Sequence, residues 1–364
     1  MIIQTARSSS SSSTRSIRST SRSSQSSLCF QAHFLAMATP VDAIGVISGI
    51  LTIVSFAQSN FGGGDPGSTI KVAVALDNEA SGTINAGGDL PDVRVWNDFG
   101  DFLAITADPG TVSDGTVGTV EVDHEQQGTY SLFSANDDAI CVAWVTTTWS
   151  DAAGGNQFAV SGDYGAECGA SWYESHMWTN TDQSYQPRCF WIDANGDQPQ
   201  TGFQVRWPAF SSTEFDEGNT DPTKFCNDID FGLRTESDPS TINFWTSAKR
   251  SKRGEKNDRR IKARRGGERV SWAAEQLVIS DSVHHSASRL CGSETSMGPD
   301  FVHTTEKSFC DMGAKVLYPL CESGNGTSTG CFDLEAQRLI TDSGLESRDI
   351  ADPYTKVRDW RATA

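Results

Sequence analysis

Residues 189–208 read CFWIDANGDQPQTGFQVRWP, two short aromatic and β-branched runs on either side of a turn-rich centre. CFWI and the alternating FQVRW are strand patterns, and Asn195-Gly196 between them is a strong short-range hairpin signal. The pattern repeats outward. Comparable runs occupy 70–76, 93–96, 102–107, 117–122, 130–134, 140–148, 158–161 and 171–173, separated by Gly, Asp, Asn and Pro. With 189–192 and 203–207 they make ten expected strands without helical periodicity, which predicts a mainly β protein built as an antiparallel β-sandwich or jelly roll. Asn97-Asp-Phe-Gly100 reads as a second hairpin turn.

The centre of the same stretch places side-chain oxygens on alternate residues, Asp193, Asn195 and Asp197, as many calcium loops begin. An EF-hand would need Gly at the sixth position and Glu at the twelfth. Gln198 and Gln204 stand there instead. The expectation is therefore a structural hairpin in which Asp and Asn cap their own turn, fixing Trp191 and Trp207, with Ca²⁺ as the one cofactor these three residues leave open.

Charge divides the chain. Residues 37–248 hold 6 basic and 30 acidic residues, 249–269 hold 11 and 3, and 270–364 hold 8 and 14. An acidic body repels phosphate, so nucleic acid is not an expected partner. The basic run KRSKRGEKNDRRIKARRGGER at 249–269 reads as a linker between an acidic β-sandwich domain at 68–248 and a small Cys-rich domain at 270–342, with a tail at 343–364. Its dibasic pairs, ending at Arg250, Arg253, Arg260 and Arg265, are the expected substrates of a processing protease during secretion. Such cutting could leave the halves separate.

Cys141, Cys168, Cys189 and Cys226 precede the basic run, and Cys291, Cys310, Cys321 and Cys331 follow it. No C-x-x-C spacing occurs, which disfavours zinc ribbons and thioredoxin-like chemistry. Disulfides within each set of four are expected, and with them an oxidising compartment. The ninth cysteine, Cys29, lies in a Ser- and Arg-rich segment at 1–36 without acidic residues, the composition of a transit peptide or of an upstream start codon.

From Met37 the chain enters an uncharged apolar run, and Ser55-Phe56-Ala57 offers the small residues of a signal-peptidase site before Gln58. The competing reading retains 37–57 as a helix, with Ile44, Ile47, Leu51 and Val54 at helical spacing and Gly45-x-x-x-Gly49 for close approach. About 15 apolar residues is short for a membrane span, so no stable span is expected. The two readings give a secreted protein or an intracellular one with an associating helix.

In the C-terminal half, HHSASRLCGS is a short helix candidate and KVLYPLC an extended one. The wording WIDANGDQPQTGFQVRWPAF, together with SASRLCGSETSMGPDFV, FCDM and LYPLC, resembles a family of uncharacterised secreted-type proteins of filamentous fungi with no assigned activity. The resemblance spans 70–210 and 278–334. It implies a fungal, secreted origin and supplies no catalytic residues.

Motif chemistry is sparse. Gly326-Thr-Ser328-Thr-Gly330 matches G-x-S-x-G but sits in a Gly/Ser/Asn loop overlapping the sequon at Asn325, so glycosylation there is the expectation. His124, His284, His285 and His303 lack metal-ligand spacing and read as surface residues. The aromatic set is more telling. Seven of the 10 Trp lie between Trp96 and Trp207, and SWYESHMW alternates aromatic with polar residues. Either these rings fill the core, or Trp172, Tyr173, Trp178, Trp191 and Trp207 form a face that stacks on sugar rings. The sequence thus favours a binding protein for a glycan or cell-wall ligand, with a polysaccharide hydrolase of unidentified carboxylates as the alternative.

Overall fold

The computed structural model describes residues 66–75, 86–179, 183, 185–211, 221–246, 271–321, 330–340 and 354–361. The segments at 1–36 and 37–57, the linker with Arg250, Arg253, Arg260 and Arg265, and Asn325 lie outside the described residues.

The strands in chain order are β1 (Ser68–Val74), β2 (Gly88–Asp89), β3 (Asp92–Trp96), β4 (Phe102–Thr106), β5 (Thr111–Val112), β6 (Val117–Val122) and β7 (Tyr130–Ser134). There follow β8 (Ile140–Trp149), β9 (Gln157–Ser161), β10 (Trp172–Glu174), β11 (Arg188–Ile192), β12 (Gly202–Arg206) and β13 (Phe231–Arg234). The C-terminal half adds β14 (Gln276–Ser280), β15 (Asp300–His303), β16 (Ser308–Asp311), β17 (Val316–Pro319), β18 (Cys331–Asp333), β19 (Arg338–Ile340) and β20 (Lys356–Asp359). All ten strands expected from the sequence are present, and the fold is β-rich with several antiparallel sheets.

One sheet runs β10-β11-β8-β1-β6, with β9 also on β8, and the second runs β13-β12-β7-β3-β4. Every pairing in the two is antiparallel. They pack face to face through large rings. Phe190 of β11 meets Phe203 of β12 edge-on at 4.9 Å, and Phe203 stacks on Phe133 of β7 at 4.4 Å. The hairpin β3–β4 turns at Asn97, whose Oδ1 accepts from Phe99 N and Asp101 N. Gly100 there has φ +86°, a conformation that costs glycine little.

The turn after β11 corrects an expectation. Residues 193–201 do not close a hairpin, because β11 belongs to the first sheet and β12 to the second. They form an arch between the layers. Asp193 is fully buried, its oxygens accepting from Asn195 N (3.3 Å), Asp197 N (2.8 Å) and Gln198 N (3.2 Å). Asn195 Oδ1 also accepts from Asp197 N, and Asn195 Nδ2 donates to Asp137 O. The alternate oxygens thus satisfy the turn's own amides. Local Asx chemistry fixes a reversal without stating which strands it joins.

Strand parity explains how the C-terminal half attaches. Successive side chains point to opposite faces, so when Phe190 faces the second sheet, Cys189 and Trp191 face the other way. Tyr173 pairs with Cys189, and Trp191 pairs with Cys141. That outer face is covered by the third sheet, β17-β16-β15-β14-β20, and its connections. β20 lies within the stretch assigned to the tail, pairing in parallel with β14. One apolar core includes Tyr173, Trp191 and Met177 from the sandwich and Val278, Leu290, Phe301, Met312 and Trp360 from the C-terminal half.

Four disulfides join Cys141 to Cys189, Cys168 to Cys226, Cys291 to Cys310 and Cys321 to Cys331. Each lies within its own half, so none of the four joins the halves, which meet through shared core, hydrogen bonds and an ion pair. No helix among the described residues is long and apolar enough to cross a membrane.

Candidate functional site

The proposed aromatic face has an occupant from the same chain. Trp172, Tyr173, Trp191 and Trp207 are 3%, 0%, 2% and 0% exposed, so their rings offer no open face to a sugar. Trp172 Nε1 donates to Ser293 Oγ (3.0 Å), Tyr173 OH to Pro299 O (3.1 Å) and Trp191 Nε1 to Met297 O (3.2 Å). A backbone bridge between Trp172 and Ser296 adds to this contact. At Gly298 an added Cβ would lie 2.4 Å from the Tyr173 ring, so the segment needs glycine to pass so close. Trp207 serves the sandwich interior, donating to Ser131 Oγ at 2.8 Å.

Trp178 is the exception, being half-buried. The His284 ring stands nearly perpendicular to it at 6.0 Å and to Tyr185 at 5.5 Å, and these two are also half-buried. The three rings make an aromatic rim where the sandwich and the C-terminal half meet.

Two ion pairs with buried carboxylates hold that rim. Asp163, on the short helix Asp163–Glu167, accepts from Tyr185 OH (2.7 Å), Ser161 Oγ (2.9 Å) and Arg188 Nε (2.9 Å). Arg188 also reaches Glu167 at 2.8 Å and lies 5.2 Å above the Trp172 ring. Glu174, 1% exposed, accepts from Arg289 Nη2 (3.0 Å) and Ser286 N (3.2 Å). Burial raises the Glu174 pKa, and the opposing charges of Arg289 and Arg188 temper the shift. Arg289 comes from the helix Ala287–Gly292, capped at its start by Ser286 Oγ on Arg289 N.

The histidines depart from the surface positions expected of them. His124, His285 and His303 are buried, and His284 is half-buried at the rim. His124 Nε2 pairs with Ser68 Oγ at 2.7 Å. His176, which no motif marks, stacks flat on Trp360 at 4.8 Å with 6° between the planes. Burial pushes His176 down to about 4 and lowers His284, where Arg289 adds to the effect. With their pKa values lowered, the His176 and His284 rings are neutral at neutral pH.

Among the described residues no group of three or more His, Cys, Asp or Glu side chains is placed to hold a metal ion. What the rim presents is partly exposed ring surface and a neutral imidazole, with the Tyr185 hydroxyl turned inward to Asp163. Tyr185, Glu174 and Arg289 escaped the sequence reading because their partners are distant in the chain; the short spacing from Trp178 to Tyr185 was the only local sign. No known protein-family model matches the chain, and no curated protein matches it.

Proposed function

We propose that the protein is a secreted binding protein that takes a carbohydrate or cell-wall ligand at the rim formed by Trp178, Tyr185 and His284. The half-exposure of these three rings over paired, buried charges carries this reading. Aromatic faces flanked by neutral polar groups suit sugar rings, which offer apolar C–H faces and hydroxyl edges. The four disulfides are in keeping with an oxidising compartment. Asp163 and Glu174, the buried carboxylates below the rim, are each engaged by an arginine, which favours binding over glycoside hydrolysis.

Retention on insoluble chitin, β-glucan, mannan and cellulose tests the proposal. Trp178→Ala is expected to cut retention about tenfold, corresponding to about 1.4 kcal/mol, with the melting temperature preserved. Unchanged retention by Trp178→Ala, or no retention of the parent protein on any of the four, would remove it.

A further inference from the structure

Four of the chain's 6 His, namely His176, His284, His285 and His303, gather where the halves join. Two sit in short polar networks. Ser282 Oγ donates to Gln186 Oε1 (2.7 Å), which turns the amide so that Gln186 Nε2 donates to His176 Nδ1 (3.3 Å). Ser282 N donates to Ser280 Oγ (3.2 Å), and Ser280 Oγ pairs with His285 Nδ1 at 2.7 Å. Accepting from Gln186, the neutral His176 ring carries its proton on Nε2. His285 Nε2 is buried without a hydrogen-bond partner, its ring enclosed by His176, Trp360 and Phe301.

We propose that this junction is an acid-operated latch: protonation of His176 from the sandwich and His285 from the C-terminal half sets like charges on rings 6.0 Å apart across it, and frees residues 281–299 from β10 and β11 while the sandwich stays folded.

The surrounding charges do not rescue the protonated rings. On the sandwich side Asp163 and Glu167 are taken by Arg188, and Glu174 by Arg289. On the C-terminal side Glu306 accepts from Ser288 N and Ser308 Oγ, and its own N–H donates to His303 Nδ1. β20 brings Arg358 and Asp359 beside Trp360, and Asp359 pairs with Arg361. Arg289, His284 and His303 add positive potential at His285.

The sign follows from linkage. Burial lowers His176 to about 4 and His285 well below 6.5, so their contribution is complete above the unfolded value of 6.5 and is lost as pH falls toward the folded values. Glu174 acts oppositely, since its pKa is raised by burial, but it contributes one proton against those of several histidines.

Hydrogen exchange of the full chain, corrected for intrinsic rates and compared at pH 7.5 and 4.5, tests the latch. Peptides covering 172–178 and 293–303 are expected to lose protection at least tenfold at pH 4.5 while 130–134 and 202–206 keep theirs. The His176→Asn/His285→Asn double variant supplies amide oxygens that do not titrate, and should abolish the loss; His124→Asn should retain it. Should the double variant not fold, His176→Asn alone is expected to move the midpoint of the loss to lower pH. Equal junction protection at both pH values, simultaneous loss across the sandwich, or an unchanged midpoint in His176→Asn would overturn the proposal.

Discussion

The indole N–H of Trp191 donates to the carbonyl of Met297 across 3.2 Å, joining residues 106 positions apart on opposite sides of the basic run. The sandwich strand β11 is therefore completed by the C-terminal half, and the ring fills shared core beside Trp272 at 5.9 Å. Trp191→Ala should cost about 3–5 kcal/mol, as for other large-to-small changes at buried aromatics. Trp178→Ala should stay within about 1 kcal/mol, because that ring is only half-buried. Urea unfolding of the two variants checks the contrast, and equal losses would contradict it.

The arch at Asp193 gives a different kind of test. Asp193 accepts three backbone amides inside the protein, so Asp193→Ala should destabilise by about 1–3 kcal/mol. EDTA should leave the melting temperature unchanged, since these oxygens are already engaged. A drop of several degrees on chelation would restore calcium to this turn.

The contrast between that arch and the aromatic segment shows what the sequence could express. Strand runs were readable because alternation and turn residues are local, and the grouping of the cysteines followed from their division by the basic run. SWYESHMW was a harder case: its polar members suggested a solvent-facing strand, yet Glu174 and Ser175 are buried. Glu174 is satisfied by Arg289 and Ser286, more than 110 residues later, and Ser175 by Pro187 O. Alternation reports that two faces differ. It does not report that a distant segment supplies polar partners for one of them.

Glu174 and Arg289 bridge the junction, with the carboxylate buried and the arginine side chain 31% exposed. Glu174→Ala should destabilise by about 1.5–3 kcal/mol by removing the charged acceptor of Arg289 and Ser286 N. The double change Glu174→Leu/Arg289→Met should recover most of that loss, because it removes both charges and retains side-chain volume. A double-mutant cycle by denaturant titration checks this, and strict additivity would show that the pair is uncoupled.

The candidate rim draws Trp178 and Tyr185 from one half and His284 from the other, so the account stands on the two halves forming one folded unit. Size-exclusion chromatography of a chain cut once within 249–269, in native non-reducing buffer, measures this most directly. Since no disulfide among the four links the halves, the shared core and the hydrogen bonds and ion pair across it must hold the fragments. Co-elution at the position of the intact chain, with separation only in denaturant, is the expected result; two fragments eluting apart at neutral pH, each still folded, would contradict it.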